Sequence, residues 1–485
     1  MARNLSEKAL AVLRQRYFRE GENWYGLCSR VVEAIMPEES KVRAFQQIYD
    51  RKFLPNTPTL INAGKEEQML FACFVLPVED SMEDIFYAIR NMAMIQKNGG
   101  GTGFSFGRLR EKGAKVHSTN GESSGVVSFM EVFNSATNSI KQGGVRRGAN
   151  MAVLPVDHPE IMDFIQAKSD TSKLTNFNIS VGITDKFMRA VIDNKSFDLN
   201  SRGDGGKNTV WAKDIFNALI EQMHSTGEPG CLFLDHINNA NPNRNLGDIE
   251  ATNPCGESPL LPYESCVLGS IDVAKFYNNG SVDYDALDET IEVAVEFLDN
   301  MIDKNHYVLP EIEEATLKTR KIGLGIMGWA DLLYQLAIPY NSDEAFALAS
   351  ALMQHITKKA MLVSMRIGKE KGCYPELENA DITVHEKFGD TLPCDSFQYL
   401  RNAFVTIIAP TGSLSIIADT SSGIEPNFAL AYKRRTDTGL ELEYFNEHLR
   451  TALEEVNLYR QGVIDRIIET NSLEGIEGVP EWMKA

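Results

Sequence analysis

The stretch Asn253-Pro254-Cys255-Gly256-Glu257 lies just past the midpoint of the chain. Proline fixes its own φ and glycine permits unusual φ values, so the residues around Cys255 predict a tight loop tip. A nucleophilic cysteine needs a cationic neighbour, whereas a carboxylate such as Glu257 raises the pKa of a nearby thiol. The stretch therefore favours hydrogen-atom transfer by a neutral S–H group, with Glu257 as a separate general base. The alternative is a turn that holds a buried structural cysteine.

Four further motifs surround this loop. They are FACF at 71–74, QGGVRRG at 142–148, ESCVLGS at 264–270 and APTGS at 409–413. Together with the loop at 253–257, and in the same order, they resemble the signature motifs of ribonucleotide reductases over nearly the whole chain. The compact spacing of Cys255 and Cys266, and the APTGS form, are most similar to the adenosylcobalamin-dependent (class II) branch. Five motifs in one order are far more specific than any one of them.

The resemblance implies a role for each of five catalytic residues. Cys255 is the thiyl-radical cysteine, Glu257 is the general base, and Asn253 hydrogen-bonds the ribose hydroxyls. Cys73 and Cys266 are implied to be the redox pair, since two thiols that close to a disulfide supply the two electrons of the reduction. Without the resemblance, Cys73 would be interpreted as a small buried hydrophobic residue in a strand.

The APTGS motif follows an apolar strand and precedes an apolar helical run. Glycine, hydroxyls and backbone N–H groups at a helix start can hold an anion, although an ordinary strand–helix turn with Ser or Thr caps has the same composition. In the family this loop binds the substrate phosphates. The residues implied to contact substrate are Thr59, Ala72, Gly101, Pro410, Thr411, Gly412, Ser413 and Leu414.

An effector site is implied by positions that follow the FACF motif at the family's offsets. It would bind a deoxynucleoside triphosphate, and the loop at 142–148 would carry effector identity to the substrate base. The residues implied to form it are Asp80, Lys97, Arg110, Gln142 and Arg146. The alternative for each charge is a solvated surface position, and Asp80 could also cap the helix that begins beside it.

Composition restricts the class of protein. The chain has 485 residues, 43% of them hydrophobic, and a net charge of −19 from 48 basic and 67 acidic residues. Such a charge argues against non-specific binding to nucleic acid or to an anionic membrane. The seven cysteines are widely separated with no CxxC pair, which predicts no structural metal and fits a reducing cytoplasm. Neither a signal peptide nor a transmembrane run is predicted.

Short apolar runs alternate with helical patterns, which predicts an α/β fold. Strands are predicted at 71–76, 151–154, 177–183, 231–234 and 405–408, and helices within 6–50, from Asp80, and at 126–141, 212–224, 285–303, 343–367 and 446–459. Two prolines predict a loop at 53–59. The resemblance implies a ten-stranded α/β barrel of two parallel half-barrels around a central finger loop. The expected divisions are a helical segment at 1–50, a barrel at 51–485, an effector region at about 78–150 and a finger loop at about 250–258.

The implied function is radical-based reduction of ribonucleoside diphosphates. The radical source is expected to be adenosylcobalamin, or alternatively a separate ferritin-like, metal-containing subunit. Expected partners are the ribonucleotide substrate, a deoxynucleoside triphosphate effector and a thioredoxin-like reductant. The resemblance implies a homodimer through the helices that begin near Asp80 and Val126, because these helices form the subunit contact in relatives. The second helix carries Val126, Val127, Met130 and Phe133 near helical spacing. Those four residues could instead pack into the chain's own core.

Three alternatives stay open at this point. Relatives continue past residue 485 with further barrel strands, so either the chain is naturally short or a second polypeptide completes it. A glycyl-radical enzyme would share the barrel but is expected to carry a C-terminal glycyl-radical loop. A non-catalytic nucleotide-binding regulator would need none of the three thiols.

Overall fold

The computed structural model describes residues 5–116, 120–140, 148–203, 205–388, 394–435 and 441–484. Helices and short strands alternate along most of these residues. The helices are α1 Glu7–Arg16, α2 Trp24–Ile35, α3 Lys41–Tyr49, α4 Thr57–Asn62, α5 Met82–Lys97, α6 Val126–Ser139, α7 Ile161–Gln166, α8 Asp185–Ile192, α9 Ala212–Thr226, α10 Leu234–Asn239, α11 Tyr284–Lys304, α12 Pro310–Thr319, α13 Trp329–Leu336, α14 Asp343–Lys371, α15 Ile382–Phe388, α16 Leu414–Ala418, α17 Glu447–Glu455, α18 Gln461–Thr470 and α19 Glu481–Lys484. The strands are β1 Phe53–Pro55, β2 Cys73–Leu76, β3 Gly101–Ser105, β4 Lys115–Val116, β5 Gly121–Glu122, β6 Asn150–Pro155, β7 Phe177–Ile183, β8 Ser196–Asn200, β9 Lys207–Trp211, β10 Gly230–Phe233, β11 Ala251–Thr252, β12 Pro259–Leu260, β13 Leu268–Asp272, β14 Tyr277–Asn278, β15 Ser281–Val282, β16 Gly323–Met327, β17 Ala431–Arg435 and β18 Glu441–Phe445.

Five strands form a parallel sheet in the order β10-β7-β6-β3-β2. Each neighbouring pair is parallel, as expected when helices lie between successive strands. Strands of such a sheet are covered on both faces and therefore form continuous apolar runs. Four of the predicted strands correspond to β2, β6, β7 and β10 and are confirmed.

A second sheet has the order β1-β13-β16, with β13 antiparallel to β1 and parallel to β16. The strand predicted at 405–408 runs beside β16 but forms only an isolated bridge, between Thr406 and Leu324. The two sheets meet where Phe74 of β2 pairs antiparallel with Ser265, just before β13. The α/β class with a parallel sheet is confirmed, and closure into ten strands stays a prediction.

The loop predicted at 53–59 is wrong, because this segment contains β1 and the start of α4. Pro55 ends β1, an outer strand of its sheet, where a missing N–H is tolerated. Pro58 stands in the first turn of α4, where the N–H has no intrahelical partner in any case. Asn56 caps this helix, its Oδ1 accepting from the Thr59 N–H at 3.0 Å.

A small apolar cluster, separate from the main core, lies where the two sheets meet. It contains residues of β2, of β6 and of the segment before β13, and also Ala409, which precedes the proline of the APTGS loop. Its buried members are Ala72, Cys73, Val75, Met151, Val153, Ala251, Leu260, Cys266, Leu268 and Ala409. Four of the five motifs therefore converge here: FACF, ESCVLGS, APTGS and, through Ala251, the strand that leads into the 253–257 loop.

Candidate active site

Cys73 and Cys266 face each other across an antiparallel pair of segments. The Cys266 N–H donates to the Cys73 carbonyl at 2.9 Å, and the Ala72 N–H donates to the Cys266 carbonyl at 3.4 Å. Side chains directly opposite each other in such a pair lie within contact distance. Both sulfurs are thiols here, each is 2% exposed, and a hydrogen bond joins them. The backbone thus places two buried thiols directly opposite each other.

The dithiol is electrostatically biased toward the neutral form. Burial raises the pKa of the Cys266 thiol well above its ordinary value, and the hydrogen bond with Cys73 and the negative field of Glu257 act in the same direction. A weaker hydrogen bond with Ser258 opposes them. Glu257 therefore acts on Cys266, whereas the effect that the sequence predicts for Glu257 on Cys255 stays a prediction.

The stretch at 253–257 forms the tight loop that its proline and glycine predict. Strands β11 and β12 flank it as a short antiparallel hairpin. The Ser258 N–H donates to Asn253 Oδ1 at 3.0 Å, and the Gly256 N–H donates to the Asn253 carbonyl at 3.1 Å. Gly256 has φ +87°, a conformation that side chains rarely adopt. Asn253 therefore organises the loop through its carbonyl and its side-chain oxygen.

Two glycines of β3 allow this loop to lie against the parallel sheet. A Cβ on Gly103 would stand 1.8 Å from the Thr252 carbonyl oxygen, which no side chain could occupy. A Cβ on Gly101 would stand 2.8 Å from Pro254 Cγ and 3.4 Å from Cys73 Sγ. Gly101 thus lies between the loop and the dithiol, and it acts there by lacking a side chain.

The three functional side chains of the loop differ in exposure. Cys255 is exposed, so the alternative of a buried structural cysteine is wrong. Asn253 is fully buried, and its Nδ2 has no hydrogen-bond partner among the described residues. Glu257 is half-buried and close enough to Cys266 to raise its pKa. The loop therefore offers an accessible thiol, a carboxylate and a buried N–H donor next to the dithiol.

The APTGS loop begins at this site, because Ala409 belongs to the same apolar cluster as both buried thiols. Thr411 has φ +52°, which is rare for a β-branched residue, and its Oγ1 accepts from the Gly423 N–H at 2.7 Å. Ser413 stands at the N-cap of α16 but makes no capping bond through its side chain. A Ser cap at this position, one alternative for the motif, is therefore not formed.

The remaining residues predicted to contact substrate differ in their position relative to the site. Ala72 lies beside Cys73, and Pro410, Gly412 and Leu414 follow Ala409 in the loop. Thr59 is fully buried, and its hydroxyl hydrogen-bonds to Asn56 Oδ1 and to the Leu70 carbonyl, each at 2.9 Å. The structure does not bring that hydroxyl to the site surface, and its contact with substrate stays a prediction.

Comparison with known proteins agrees with this arrangement. The family model "Ribonucleotide reductase, all-alpha domain" matches residues 3–68, and "Ribonucleotide reductase, barrel domain" matches residues 71–485. The chain belongs to the ribonucleotide reductase family. The division expected near residue 50 stays a prediction.

Relatives from several organisms align along most of the chain. The vitamin B12-dependent ribonucleoside-diphosphate reductase of Thermoplasma acidophilum is 47% identical over 88% of this chain and 54% of its own length. The protein of the same name from Mycobacterium tuberculosis is 42% identical over 99% of this chain and 70% of its own. The ribonucleoside-diphosphate reductase large chain of Neurospora crassa is 29% identical over 92% of this chain and 53% of its own. The chain thus spans about half to two-thirds of the length of these reductases.

Two of the predicted effector residues meet in the structure. Asp80 accepts from the Arg110 Nε–H at 2.6 Å and from the Arg110 backbone N–H at 3.1 Å. Asp80 does not cap α5, because Ser81 is the N-cap and its hydroxyl accepts from the Asp84 N–H. The capping alternative for Asp80 is therefore wrong.

The other predicted effector residues are not brought to this pair within one chain. Lys97 ends α5, whose 16 residues put it about 24 Å from the end beside Asp80. Gln142 and Arg146 lie outside the described residues. The described residues of one chain therefore do not form a site that contains all five predicted effector residues.

Three of the four apolar residues cited for a dimer face inward. Val126, Met130 and Phe133 of α6 are fully buried in the chain's own core, as the alternative expected, whereas Val127 is half-buried. The exposed apolar side chains of this region are instead on α5 and at one position of α6. They are Met82, Phe86, Tyr87, Met94 and Val132.

Several residues that support the site carry no sequence signal. Asn178 of β7 donates through Nδ2 to the Pro254 carbonyl at 2.7 Å and so anchors the loop to the sheet. The buried pair Glu264–Lys321, with Nζ 2.6 Å from Oε2, holds the segment that carries Cys266. Each links positions far apart in sequence, so neither could be predicted from local pattern.

Among the described residues, no helix is long and apolar enough to cross a membrane. The described residues also contain no group of three His, Cys, Asp or Glu side chains that could hold a metal ion.

Proposed function

We propose that this chain is the catalytic chain of an adenosylcobalamin-dependent ribonucleotide reductase, which reduces ribonucleoside diphosphates to 2′-deoxyribonucleotides. The observation that carries the proposal is the paired, buried dithiol of Cys73 and Cys266 next to a loop with an exposed thiol. The names of the Thermoplasma and Mycobacterium relatives support the diphosphate substrate and the cofactor.

The residues of the loop begin the reaction. Cys255, as a thiyl, takes the hydrogen atom from C3′ of the ribose and becomes a thiol. Glu257 accepts the proton of the 3′-hydroxyl as general base. Asn253 Nδ2, the buried donor without a partner among the described residues, hydrogen-bonds a ribose hydroxyl. Leaving that donor unpaired is costly, so substrate binding is favoured where it becomes paired.

The dithiol completes the reduction. Cys73 and Cys266 supply one proton to the departing 2′-hydroxyl, which leaves as water, and a second proton to C2′, and together they deliver two electrons as they close into a disulfide. The raised pKa of Cys266 keeps a proton on its sulfur until it is needed. Cys255 then returns its hydrogen atom to C3′, and Glu257 returns its proton to the 3′-oxygen. A thioredoxin-like reductant reopens the disulfide, which requires a reducing compartment such as the cytoplasm.

The exposure of Cys255 is compatible with a radical source that lies outside the chain. Cys255 is exposed while both partner thiols are buried, so a large cofactor can stand against the loop tip. The residues that would face it are Cys255 and Gly256, which presents no side chain. Adenosylcobalamin, when bound, supplies the radical that Cys255 uses. A separate ferritin-like, metal-containing subunit is the alternative source, and it would need the same access.

The remaining parts of the proposal concern binding and assembly. The loop 410–414 holds the substrate diphosphate, with Ala72 and Gly101 lining the sugar site and Thr59 behind it. A deoxynucleoside triphosphate binds at Asp80, Arg110, Lys97 and the loop of Gln142 and Arg146. Because Lys97 is remote from Asp80 in one chain, a homodimer through the exposed apolar side of α5 would bring the two ends together. In this proposal the barrel has ten strands.

The test is an activity assay of the purified chain with ribonucleoside diphosphate, dithiol reductant and either adenosylcobalamin or a metal-loaded ferritin-like subunit. Deoxyribonucleotide formation with adenosylcobalamin is expected. Product with the metal subunit alone would replace the cofactor proposal and keep the reductase. The alternative of a non-catalytic regulator predicts nucleotide binding without product under both conditions, although a regulator has no need of the aligned dithiol.

A further inference from the structure

A buried hydrogen-bonded cluster lies behind the APTGS loop. Asp272 is the last residue of β13, Asp331 is in the first turn of α13, and Thr420 follows the end of α16. Thr420 Oγ1 is 3.0 Å from Asp272 Oδ1 and 3.1 Å from Asp331 Oδ2. Asp272 is 0% exposed and Asp331 is 5% exposed. Three elements distant in sequence therefore meet at one hydroxyl.

The geometry of this cluster calls for a proton. A threonine hydroxyl has one hydrogen, so Thr420 can donate to only one of the two carboxyl groups. If Asp272 Oδ1 carries a proton, it donates to Thr420 Oγ1, which in turn donates to Asp331 Oδ2, so that each short contact contains a hydrogen. Asp272 Oδ2 has no hydrogen-bond partner among the described residues. With both carboxylates ionised, one of the short contacts becomes oxygen against oxygen with no hydrogen between them.

Gly328 packs closely against this cluster. A Cβ on Gly328 would stand 2.2 Å from Asp272 Oδ1 and 2.7 Å from Thr420 Oγ1. Gly328 also has φ +80°, which favours glycine. Its N–H donates to the Ser421 carbonyl at 2.8 Å, so the backbone that follows Thr420 is fixed on β16 and α13.

The segment 420–423 connects this cluster to the candidate phosphate loop. On one side, the Ser421 N–H donates to Asp331 Oδ2 at 2.9 Å. On the other, Ser422 Oγ donates to the Pro410 carbonyl at 2.5 Å and the Gly423 N–H donates to Thr411 Oγ1 at 2.7 Å. The second pair of bonds holds Thr411 in its left-handed conformation, which is costly for a β-branched residue unless its surroundings enforce it.

We propose that Asp272 and Asp331 are positioning residues for the loop at 410–414, and that one proton held in their cluster with Thr420 sets the loop's affinity for a ribonucleoside diphosphate. This inference rests on the proposed function, since the diphosphate is the ligand that function assigns to the loop. Neither carboxyl group contacts the ligand in this scheme. Both act through the segment 420–423.

The charged groups around Asp272 support a titration near neutral pH. Burial raises the pKa of Asp272 from 3.8 to about 7; Lys275 and the hydrogen bond with Thr420 lower this pKa, Asp331 raises it, and the hydrogen bond from the Ala274 N–H lowers it. Lys275 Nζ, from the turn after β13, is 3.8 Å from Asp272 Oδ2. The Lys52 carbonyl accepts from the Asp272 N–H at 2.9 Å. On the side of α16, Asp419 beside Thr420 pairs with Arg51 at 2.7 Å.

The sign of the pH effect follows. Below about pH 7 Asp272 is protonated in the folded chain and the cluster is complete. Above that pH two adjacent carboxylates repel each other, so the segment 420–423 loosens and the loop loses its fixed shape. Since the folded state binds the extra proton between 3.8 and about 7, stability also falls as pH rises through that window.

The test measures binding of radiolabelled ribonucleoside diphosphate to the full chain by equilibrium dialysis between pH 6 and pH 8.5. For the wild type, Kd is expected to rise with pH by roughly tenfold, with its midpoint near 7. Asp272→Asn, which cannot ionise, is expected to bind with no pH dependence. Thr420→Val keeps the shape but breaks the bridge, and it is expected to weaken binding roughly tenfold at low pH.

Controls separate positioning from general destabilisation. Thr420→Ser, which restores the hydroxyl, is expected to bind like the wild type, and so is Glu425→Gln, an exposed acid two residues past Gly423. A wild-type pH profile that persists in Asp272→Asn, or unchanged binding in Thr420→Val, overturns the positioning role while the reductase proposal stands. If the wild type binds no ribonucleoside diphosphate at any pH, the proposed function fails and this inference falls with it.

Discussion

The reaction region, which comprises Cys73, Cys266 and the loop at 253–257, differs in construction from the effector region, which comprises α5 with Asp80, Lys97 and Arg110. Cys73 and Cys266 are aligned by backbone hydrogen bonds between neighbouring segments, and the loop of Cys255 is fastened to the same sheet. Of the predicted effector residues that the structure describes, Asp80 and Arg110 are in contact, and Lys97 lies at the other end of α5. The two buried thiols are thus brought together within one chain, whereas Lys97 is not brought to the Asp80–Arg110 pair.

One surface chain of ion pairs joins the two regions. Arg108 pairs with Glu79, which adjoins Asp80, and with Glu250, which immediately precedes β11 and the loop, at 3.2 Å. All three side chains are more than a third exposed, so the pairs contribute little to stability. These pairs therefore contribute little to holding the two regions together.

The largest expected effect comes from the exposed thiol of the reaction region. Cys255→Ser is expected to reduce deoxyribonucleotide formation by at least about a thousandfold, because an O–H bond is too strong to replace S–H in hydrogen-atom transfer. Binding of the ribonucleoside diphosphate is expected to be unchanged, since serine keeps the shape of the side chain. Product formation and equilibrium binding are measured on the same preparation.

Cys231→Ser is the matched control for this variant. Cys231 is a half-exposed cysteine of β10 that has no part in the proposal. It is expected to keep full activity. Measurable turnover by Cys255→Ser would remove the radical role from the loop and leave the reaction region without its first step.

The buried pair gives the next effect. After one turnover without reductant, Cys73 and Cys266 are expected to be joined in roughly one disulfide per product formed. Peptide mapping of the chain, alkylated immediately after a single turnover, measures this. Cys28, which is buried elsewhere in the core, is expected to stay a thiol. Product formed while both members of the pair remain reduced would show that the electrons come from another source.

Much of the reaction region could be predicted from the sequence, for a physical reason. Loop chemistry at Cys255 and the apolar run at β2 are local properties, so short-range patterns specify them. The contact of Cys73 with Cys266 is not local, because it depends on the register between β2 and the segment before β13. Only the resemblance to a family supplied it. The Asp272–Thr420–Asp331 cluster had no signal at all, since each residue alone is an ordinary polar position.

Errors in the prediction also have physical causes. Pro55 and Pro58 suggested a loop, yet a strand end and a first helical turn both tolerate proline. In α6 the helical spacing of Val126, Met130 and Phe133 was correct, but periodicity cannot tell a core from a subunit interface. Asp80 and Lys97 were assigned to one effector site from the family's offsets; within one chain the 16 residues of α5 separate them, and the assignment stays a prediction.

A smaller effect is expected in the alkylation rates of two thiols of the reaction region. Alkylation by iodoacetamide at pH 8 is expected to modify Cys255 at least about tenfold faster than Cys266, because the reactive form is the thiolate and access is required. Burial raises the pKa of Cys266 well above its ordinary value, so its rate should rise only at strongly alkaline pH. Mass spectrometry of peptides gives both rates. In urea the two rates should converge; equal rates in the native chain would contradict the burial of the dithiol.

The smallest effect concerns the effector region, where Asp80 and Ser81 are adjacent but have different roles. Asp80→Ala removes the partner of Arg110, and Ser81→Ala removes the cap of α5. Loss of the cap is expected to lower the free energy of unfolding by about 1 kcal/mol. Loss of the partly exposed Asp80–Arg110 pair is expected to lower it by less than about 1 kcal/mol.

The two variants should separate by their response to effectors. In reduction of mixed ribonucleoside diphosphates with each deoxynucleoside triphosphate in turn, Asp80→Ala is expected to lose a base preference of about fivefold or more, a usual size for coupling between two sites. Its basal rate should remain, because the dithiol and the loop are fixed by other contacts. Ser81→Ala should keep the preference despite its lower stability. If Asp80→Ala responds to every effector as the wild type does, the Asp80–Arg110 pair is only a surface ion pair, and the effector region must be sought along the rest of α5.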